Sequence, residues 1–114
     1  MIEVEKRDGS IVNFDSSKIF SAISKAFDSL HMEKDDAIIN LLVLRATADF
    51  QAKIKENRIS VEMIQDSVEK TLSESGYYLV AKTYILYRKQ RENVRKIQST
   101  ANEYIHLVNS YLHN

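Results

Sequence analysis

The sequence has no cysteine, no proline and no tryptophan, and only two glycines in 114 residues. The missing thiols exclude a disulfide framework, a thiolate zinc site, an iron–sulfur cluster and a thiol nucleophile. Gly9 and Gly76 lie too far apart to build a glycine-rich phosphate loop. The longest apolar run, Leu41 to Leu44, falls far short of the ~20 residues that cross a bilayer, so no membrane partner is expected. Neither sign of charge dominates: 16 basic residues face 16 acidic ones. This excludes a chain that is basic or acidic throughout. The opening Met1-Ile2-Glu3-Val4-Glu5 is acidic and alternating, unlike a secretory signal. The expected location is the cytoplasm.

What is present fits one globular domain. Hydrophobic residues make up 44% of the chain, enough for a core and too many for disorder. Ile2, Val4 and Lys6 alternate with Glu3, Glu5 and Arg7, a period of two. Asp8-Gly9 then predicts a two-residue hairpin turn with positive φ at both positions. Ile11, Val12 and Phe14 make the return strand. So small a hairpin needs helices beneath it.

Four helices are expected. Asp15, Ser16 and Ser17 are cap residues for the first, whose stripe is Ile19, Ala22, Ile23, Ala26, Phe27 and Leu30. Asp35 or Asp36 caps the second, with a broad apolar face of Ile38, Ile39, Leu41, Leu42, Leu44 and Ala48. Lys53 to Arg58 reads as a loop. Ser60 caps the third helix, which carries Val61, Ile64, Val68 and Leu72 and stops at Gly76. No breaker follows Tyr77. A leaky heptad of Val80, Tyr87, Val94, Ala101 and Val108 runs through this stretch, with Tyr84, Ile105 and Leu112 at complementary positions. Ile97, Tyr104 and Tyr111 form a neighbouring stripe. The end of that segment is therefore expected to pair with another chain or with further protein.

Charge is uneven locally. Lys82, Arg88, Lys89, Arg91, Arg95 and Lys96 face Glu92 alone, a local net charge of +5. Lys6 and Arg7 sit beside the hairpin turn, and Lys18 lies in the first turn of helix one. Charge-assisted hydrogen bonds from these bases, and free N–H groups at the start of helix one, could together hold a triphosphate. The ordinary alternative is solvated surface. Tyr84 and Tyr87 could stack on a base, or be half-buried core residues. His31, His106 and His113 have no metal-ligand spacing, adjacent Asp35 and Asp36 do not face each other on a helix, and Ser16-Ser17 lacks a nucleophile's setting. No catalytic or metal-binding residue is predicted. Binding, not catalysis, is the expected activity.

Three ordered stretches carry a family resemblance: Lys6-Arg7-Asp8-Gly9 with Phe14-Asp15 and Lys18-Ile19, then Ile59 to Glu69, then Ala81 to Arg88 with Arg91. Together they resemble the ATP-cone domain. The resemblance covers residues 1–92 and leaves 93–114 as a helical linker toward a missing catalytic domain. It implies a mainly α (α+β) fold: a small N-terminal β-hairpin capping a four-helix bundle, with a C-terminal helical extension. It also implies a job, binding ATP or dATP with Mg2+ to switch a ribonucleotide reductase on or off. The tail stretches Tyr104-Ile105 and Val108 to Leu112 resemble the anaerobic, glycyl-radical reductases.

Carried over by position, the resemblance makes Lys6 and Arg7 hairpin contacts to phosphate. The stretch Val12, Asn13, Phe14, Asp15, Ser16, Ser17 and Lys18 would wrap the nucleotide, with Asp15 toward ribose or base and Lys18 toward phosphate. Val61 and Gln65 fall near the base, and Lys82 and Arg88 match basic positions reaching the phosphates. Val12 and Gln65 depart from some family members, which carry a polar ligand and a histidine there. The implied partners are adenine nucleotides, a reductase catalytic domain, and a second copy through cones or the C-terminal helix. The chain itself, lacking cysteine, is not expected to be an enzyme. The rival reading is a helical interaction or nucleic-acid-binding module using the basic fourth helix, with nucleic acid the disfavoured partner.

Overall fold

A computed structural model describes the backbone of residues 1–112 and the side chains of residues 1–94, 96 and 97. The elements in chain order are β1 (Glu3–Glu5), β2 (Ile11–Asn13), α1 (Ser16–Ser29), α2 (Asp36–Phe50), β3 (Arg58–Ser60), α3 (Val61–Glu74) and α4 (Tyr78–Leu112). The fold is mainly helical with a small N-terminal sheet, the class expected from the sequence. It divides into two compact units, Met1–Tyr84 and the segment from Ile85 onward.

The sheet differs from the expected hairpin in two ways. First, it has three strands in the order β2-β1-β3. β1 pairs antiparallel with β2, Val4 opposite Val12, and parallel with β3, Val4 opposite Ile59. The sequence placed Arg58 in a loop and Ile59-Ser60 at a helix start. A three-residue strand has no periodicity to read, and its partner lies more than fifty residues away. Second, the turn is not the expected one. The Gly9 N–H donates to the Lys6 carbonyl at 3.0 Å, and only Gly9 has positive φ, at 86°. This is a four-residue turn closed by a left-handed glycine bulge. Paired left-handed residues occur instead at Glu56 and Asn57, between Lys55 and Arg58, whose backbones exchange two hydrogen bonds of 3.0 Å.

The helix ends follow their caps. Asp15 Oδ1 accepts from the Ser17 N–H, Asp35 Oδ1 from Ala37, and Ser60 Oγ from Met63. α3 closes on Gly76 at φ 89°, with the Tyr77 N–H donating back to the Leu72 carbonyl at 2.9 Å. α1 closes the same way on His31, a left-handed non-glycine, with Met32 donating to Phe27 at 3.2 Å.

The first unit's core takes Ile23 and Phe27 from α1, Ile39, Leu42, Ala46 and Phe50 from α2, and Val68 and Leu72 from α3. Val80 and Tyr84 on α4, and Val4 and Ile59 in the sheet, complete it. The broad apolar face expected on α2 is only half buried. Ile39, Leu42, Val43, Ala46 and Phe50 obey the 3.6-residue period and face inward. Ile38, Leu41 and Leu44 fall off that stripe and are 39%, 48% and 67% exposed.

In the second unit, Arg91 donates to the Tyr87 hydroxyl at 3.2 Å and lies 5.9 Å from its ring centroid. Val94 and Ile97 are exposed. The expected seam positions Ala101, Ile105, Val108 and Leu112, with Tyr104 and Tyr111, lie outside the described side chains.

Two predictions follow from this packing. Phe50 is fully buried and meets Phe14 edge-on, ring centroids 5.5 Å apart. Phe50→Ala is expected to destabilise the domain by about 3–5 kcal/mol in chemical denaturation. On the far side of α2, Asp49 accepts from Lys70 Nζ at 2.9 Å. The Lys70 hydrogen bond, with a second from Ser67, holds the Asp49 carboxyl below its ordinary value. Ser10 does the same for Asp8 and Ser17 for Asp15. A carboxyl with a depressed folded value resists protonation more in the folded chain than in the unfolded one. Its contribution is fully present above the unfolded value of ~3.9 and fades as pH falls through the lower folded value. Thermal melts should fall below about pH 4, and Asp49→Asn should flatten part of that decline.

Candidate functional site

A pocket opens in the first unit beneath the sheet. Its volume is about 190 Å³. Val4 and Lys6 of the first strand and turn line it, with Val12, Asn13, Phe14 and Asp15 from the return strand and its exit. Lys18, Ile19 and Ala22 on α1, Val61, Ile64 and Gln65 on α3, and Tyr84 on α4 complete the wall. Drug-sized ligands occupy pockets of roughly 300–1,000 Å³. This one has room for a ring system, with any larger ligand continuing over the surface.

Local structure explains each contribution. β1 and β2 are antiparallel, so Val4 and Val12 sit opposite each other and share one face. The parallel β1–β3 pair brings the start of α3 beside them, and with it Val61, Ile64 and Gln65. The chain leaves β2 through Phe14 directly into the Asp15 cap, so Lys18 and Ile19 emerge in the first turn of α1. Apolar groups form the floor, and the exposed lysines Lys6 and Lys18 stand at the rim. Asp15 is the carboxylate among the lining residues.

The sequence-predicted residues separate into two groups. Lys6, Val12, Asn13, Phe14, Asp15, Lys18, Val61 and Gln65 come together in the lining. Arg7, Ser16, Ser17, Lys82 and Arg88 do not line it. Ser16 and Ser17 are exposed in the first turn of α1, where Ser17 serves the cap. Lys82 is exposed on α4, and half-buried Arg88 belongs to the second unit. Arg7 turns toward α3: its Nη2 donates to Gln65 Oε1 at 3.2 Å, and its Nε lies 3.6 Å from Glu62 Oε1.

The start of α1 is not the open anion site the sequence suggested. Asp15 Oδ1 takes the Ser17 N–H at 3.0 Å, and the Asp15 carbonyl takes that of Lys18 at 3.2 Å. Hydrogen bonding to Ser17 keeps the Asp15 carboxyl below its ordinary value, and so charged. A fixed negative charge there opposes a phosphate at the same N–H groups. Lys6 and Lys18 are the cationic residues of the rim.

Sequence reasoning missed Val4, Ile19, Ala22 and Ile64 as lining residues, because each also reads as ordinary core. Tyr84 was legible only as an ambiguity between stacking and burial. It is 7% exposed and packed in the core, and it also forms part of the pocket wall. Among the described residues there is no group of three His, Cys, Asp or Glu placed to hold a metal ion. No helix among them is long and apolar enough to cross a membrane.

Comparison with known proteins matches residues 2–93 to the ATP cone domain. The chain is 37% identical to the ribonucleoside-diphosphate reductase subunit alpha of Chlamydia pneumoniae, over 98% of this chain and 12% of that protein. It is 41% identical to a vitamin B12-dependent ribonucleoside-diphosphate reductase of Thermoplasma acidophilum, over 82% of this chain and 12% of that protein. An anaerobic ribonucleoside-triphosphate reductase of Escherichia coli is 29% identical, over 90% of this chain and 14% of that protein. The chain thus spans about an eighth of the length of these curated relatives. The whole pocket lining lies inside the matched residues, and the chain belongs to the ATP cone domain family.

Proposed function

We propose that this chain is an allosteric regulatory domain that binds ATP or dATP and switches the overall activity of a ribonucleotide reductase. The observation that carries the proposal is the pocket itself: an apolar wall with Tyr84 and Phe14, rimmed by Lys6 and Lys18. An apolar slot takes a base, and ammonium groups beside it take phosphates by charge-assisted hydrogen bonds. The family and the reductase relatives support a nucleotide-binding regulatory role.

In this reading Val61 and Gln65 lie near the base, the stretch from Val12 to Lys18 wraps the nucleotide, and Asp15 faces ribose or base. Lys82 and Arg88 keep the phosphate-reaching role that the family resemblance implies for the basic positions of α4. Magnesium would arrive on the triphosphate, since Mg2+ is commonly held by one or two carboxylates plus substrate phosphates. Residues 1–92 form the regulatory domain and 93–114 the link to a catalytic domain. The chain has no cysteine, so thiol-based reduction of a ribonucleotide belongs to another part of the parent protein. Cytoplasmic placement is part of the same reading.

The tail stretches around Tyr104 to Leu112 favour an anaerobic, glycyl-radical parent. The higher identity to the two diphosphate reductases favours the other classes. Whether the intact parent reduces ribonucleoside triphosphates or diphosphates decides between them.

Magnitudes shape the switch. ATP and dATP differ by one hydroxyl, and one hydrogen bond contributes roughly 0.5–1.5 kcal/mol net. Moving an equilibrium from 1:99 to 99:1 takes about 5.5 kcal/mol of differential binding. Several sites must therefore add their preferences, through cone–cone or cone–enzyme arrangements that each nucleotide selects.

Isothermal titration with ATP and dATP at matched magnesium and salt is the test. Saturable binding with a stoichiometry near one or two is expected. Lys6→Ala and Lys18→Ala should each weaken it about tenfold or more, the scale of a charged hydrogen bond. Unchanged affinity in both variants would reject the lysine rim as the phosphate contact, and salt-sensitive oligonucleotide binding with no adenine-nucleotide binding would reject the proposal in favour of an interaction module built on the basic fourth helix.

A further inference from the structure

Arg7 is the basic residue of the turn that does not line the pocket, although Lys6 beside it does. Its side chain is 21% exposed and lies against α3. Nη2 donates to Gln65 Oε1 at 3.2 Å, and Nε lies 3.6 Å from Glu62 Oε1. A guanidinium only donates hydrogen bonds. The Gln65 amide must therefore turn its oxygen to Arg7, because the reversed amide would set two N–H groups against a cation. Nε2 then occupies the other edge of the planar amide. Among the described residues Nε2 makes no hydrogen bond, and Gln65 is half-buried in the pocket wall. Glu62 supplies a countercharge for the guanidinium, and its carboxylate disfavours a phosphate on Arg7.

From this geometry we infer that Arg7 is a positioning residue: it fixes the polarity of the Gln65 amide and so makes Gln65 a donor toward the pocket. An amide is otherwise ambivalent, able to offer oxygen or N–H₂ to a ligand. Locked by Arg7, Gln65 selects ligand edges that carry hydrogen-bond acceptors and rejects those that carry N–H groups. Purine ring nitrogens without hydrogen are such acceptors, and this assignment of ligand rests on the adenine-nucleotide reading above. It also replaces the phosphate contact that position in the sequence suggested for Arg7.

The test compares wild type, Arg7→Met and Arg7→Lys. Each is titrated with ATP, AMP and the 1-deaza, 3-deaza and 7-deaza analogues of ATP, in which one ring acceptor is replaced by C–H. In the wild type, one analogue should bind about three- to tenfold more weakly than ATP, the scale of one hydrogen bond. In Arg7→Met that penalty should shrink below twofold, with the ATP-to-AMP affinity ratio unchanged. Arg7→Lys, which keeps the charge and loses the fork, should not restore the penalty. The inference is overturned if Arg7→Met weakens ATP and every analogue by one common factor. It is also overturned if the ATP-to-AMP ratio collapses and Arg7→Lys rescues it, since Arg7 would then be a phosphate ligand. A nucleotide-free readout separates this inference from the function it rests on. The Gln65 side-chain amide, followed by ¹⁵N NMR, should be ordered in the wild type and mobile in Arg7→Met. Should the wild type bind no adenine nucleotide, the proposed function fails. Loss of amide order in Arg7→Met then still upholds the positioning role, and an amide equally mobile with and without Arg7 overturns it.

Discussion

The parallel pairing of β1 with β3 is the contact on which the rest of the site depends. It is three residues long, Glu3 to Glu5 against Arg58 to Ser60. Yet it joins the N-terminal hairpin to the residue that caps α3. Val4 and Ile59 meet on that pair, both nearly fully buried. Their burial holds the hairpin over the core, where a two-stranded ribbon alone would be marginal. Without it, the Gln65 wall and the Lys6 rim would have no fixed separation. The Glu3 N–H donating to the Asn57 carbonyl at 2.7 Å extends the same junction.

The pocket inherits its chemistry from that junction. Strand alternation turns Val4 and Val12 the same way, which makes the floor apolar. The helix cap at Asp15 comes immediately after Phe14, so a charged first turn is delivered to the edge of an apolar slot. The cap is also a constraint, because the carboxylate that starts α1 occupies N–H groups that an anion might otherwise use. The cationic groups at the pocket are then the Lys6 and Lys18 side chains, not the start of the helix.

Arg7 shows how neighbouring basic residues acquire different work. Lys6 and Arg7 read as equivalent in sequence. In the fold one stands at the pocket and the other is committed to α3, where Gln65 accepts a hydrogen bond from it and Glu62 supplies a countercharge. A polar contact of this kind ties the hairpin tip to the helix and orders a pocket side chain at once. The turn glycine makes it geometrically available, because a left-handed Gly9 bends the ribbon with no Cβ to resist.

Much of this protein was determined by sequence alone. The absence of cysteine excluded a disulfide or a thiol nucleophile within these 114 residues. The candidates Asp15 to Ser17, Asp35 or Asp36, Ser60 and Gly76 marked helix ends that the structure reproduces, with Asp15 and Asp35 as the caps, because caps and stops act through hydrogen bonds only a few residues long. The stripes of α1 and α3 were legible for the same local reason. Eight lining residues were named from motif position. The tertiary structure decided the remainder. β3 exists only because β1 is there to pair with. The inward side of α2 could not be chosen from so broad an apolar face, since burial depends on which neighbours arrive. Val4, Ile19 and Ile64 were recognisable as apolar but not as pocket walls, and Tyr84 could not be placed as both core and wall. The partner of Arg7 was hidden as well, because Gln65 lies 58 residues away. Local hydrogen-bonding and period can be read along a chain, whereas long-range pairing is set by which surfaces the folded core brings together.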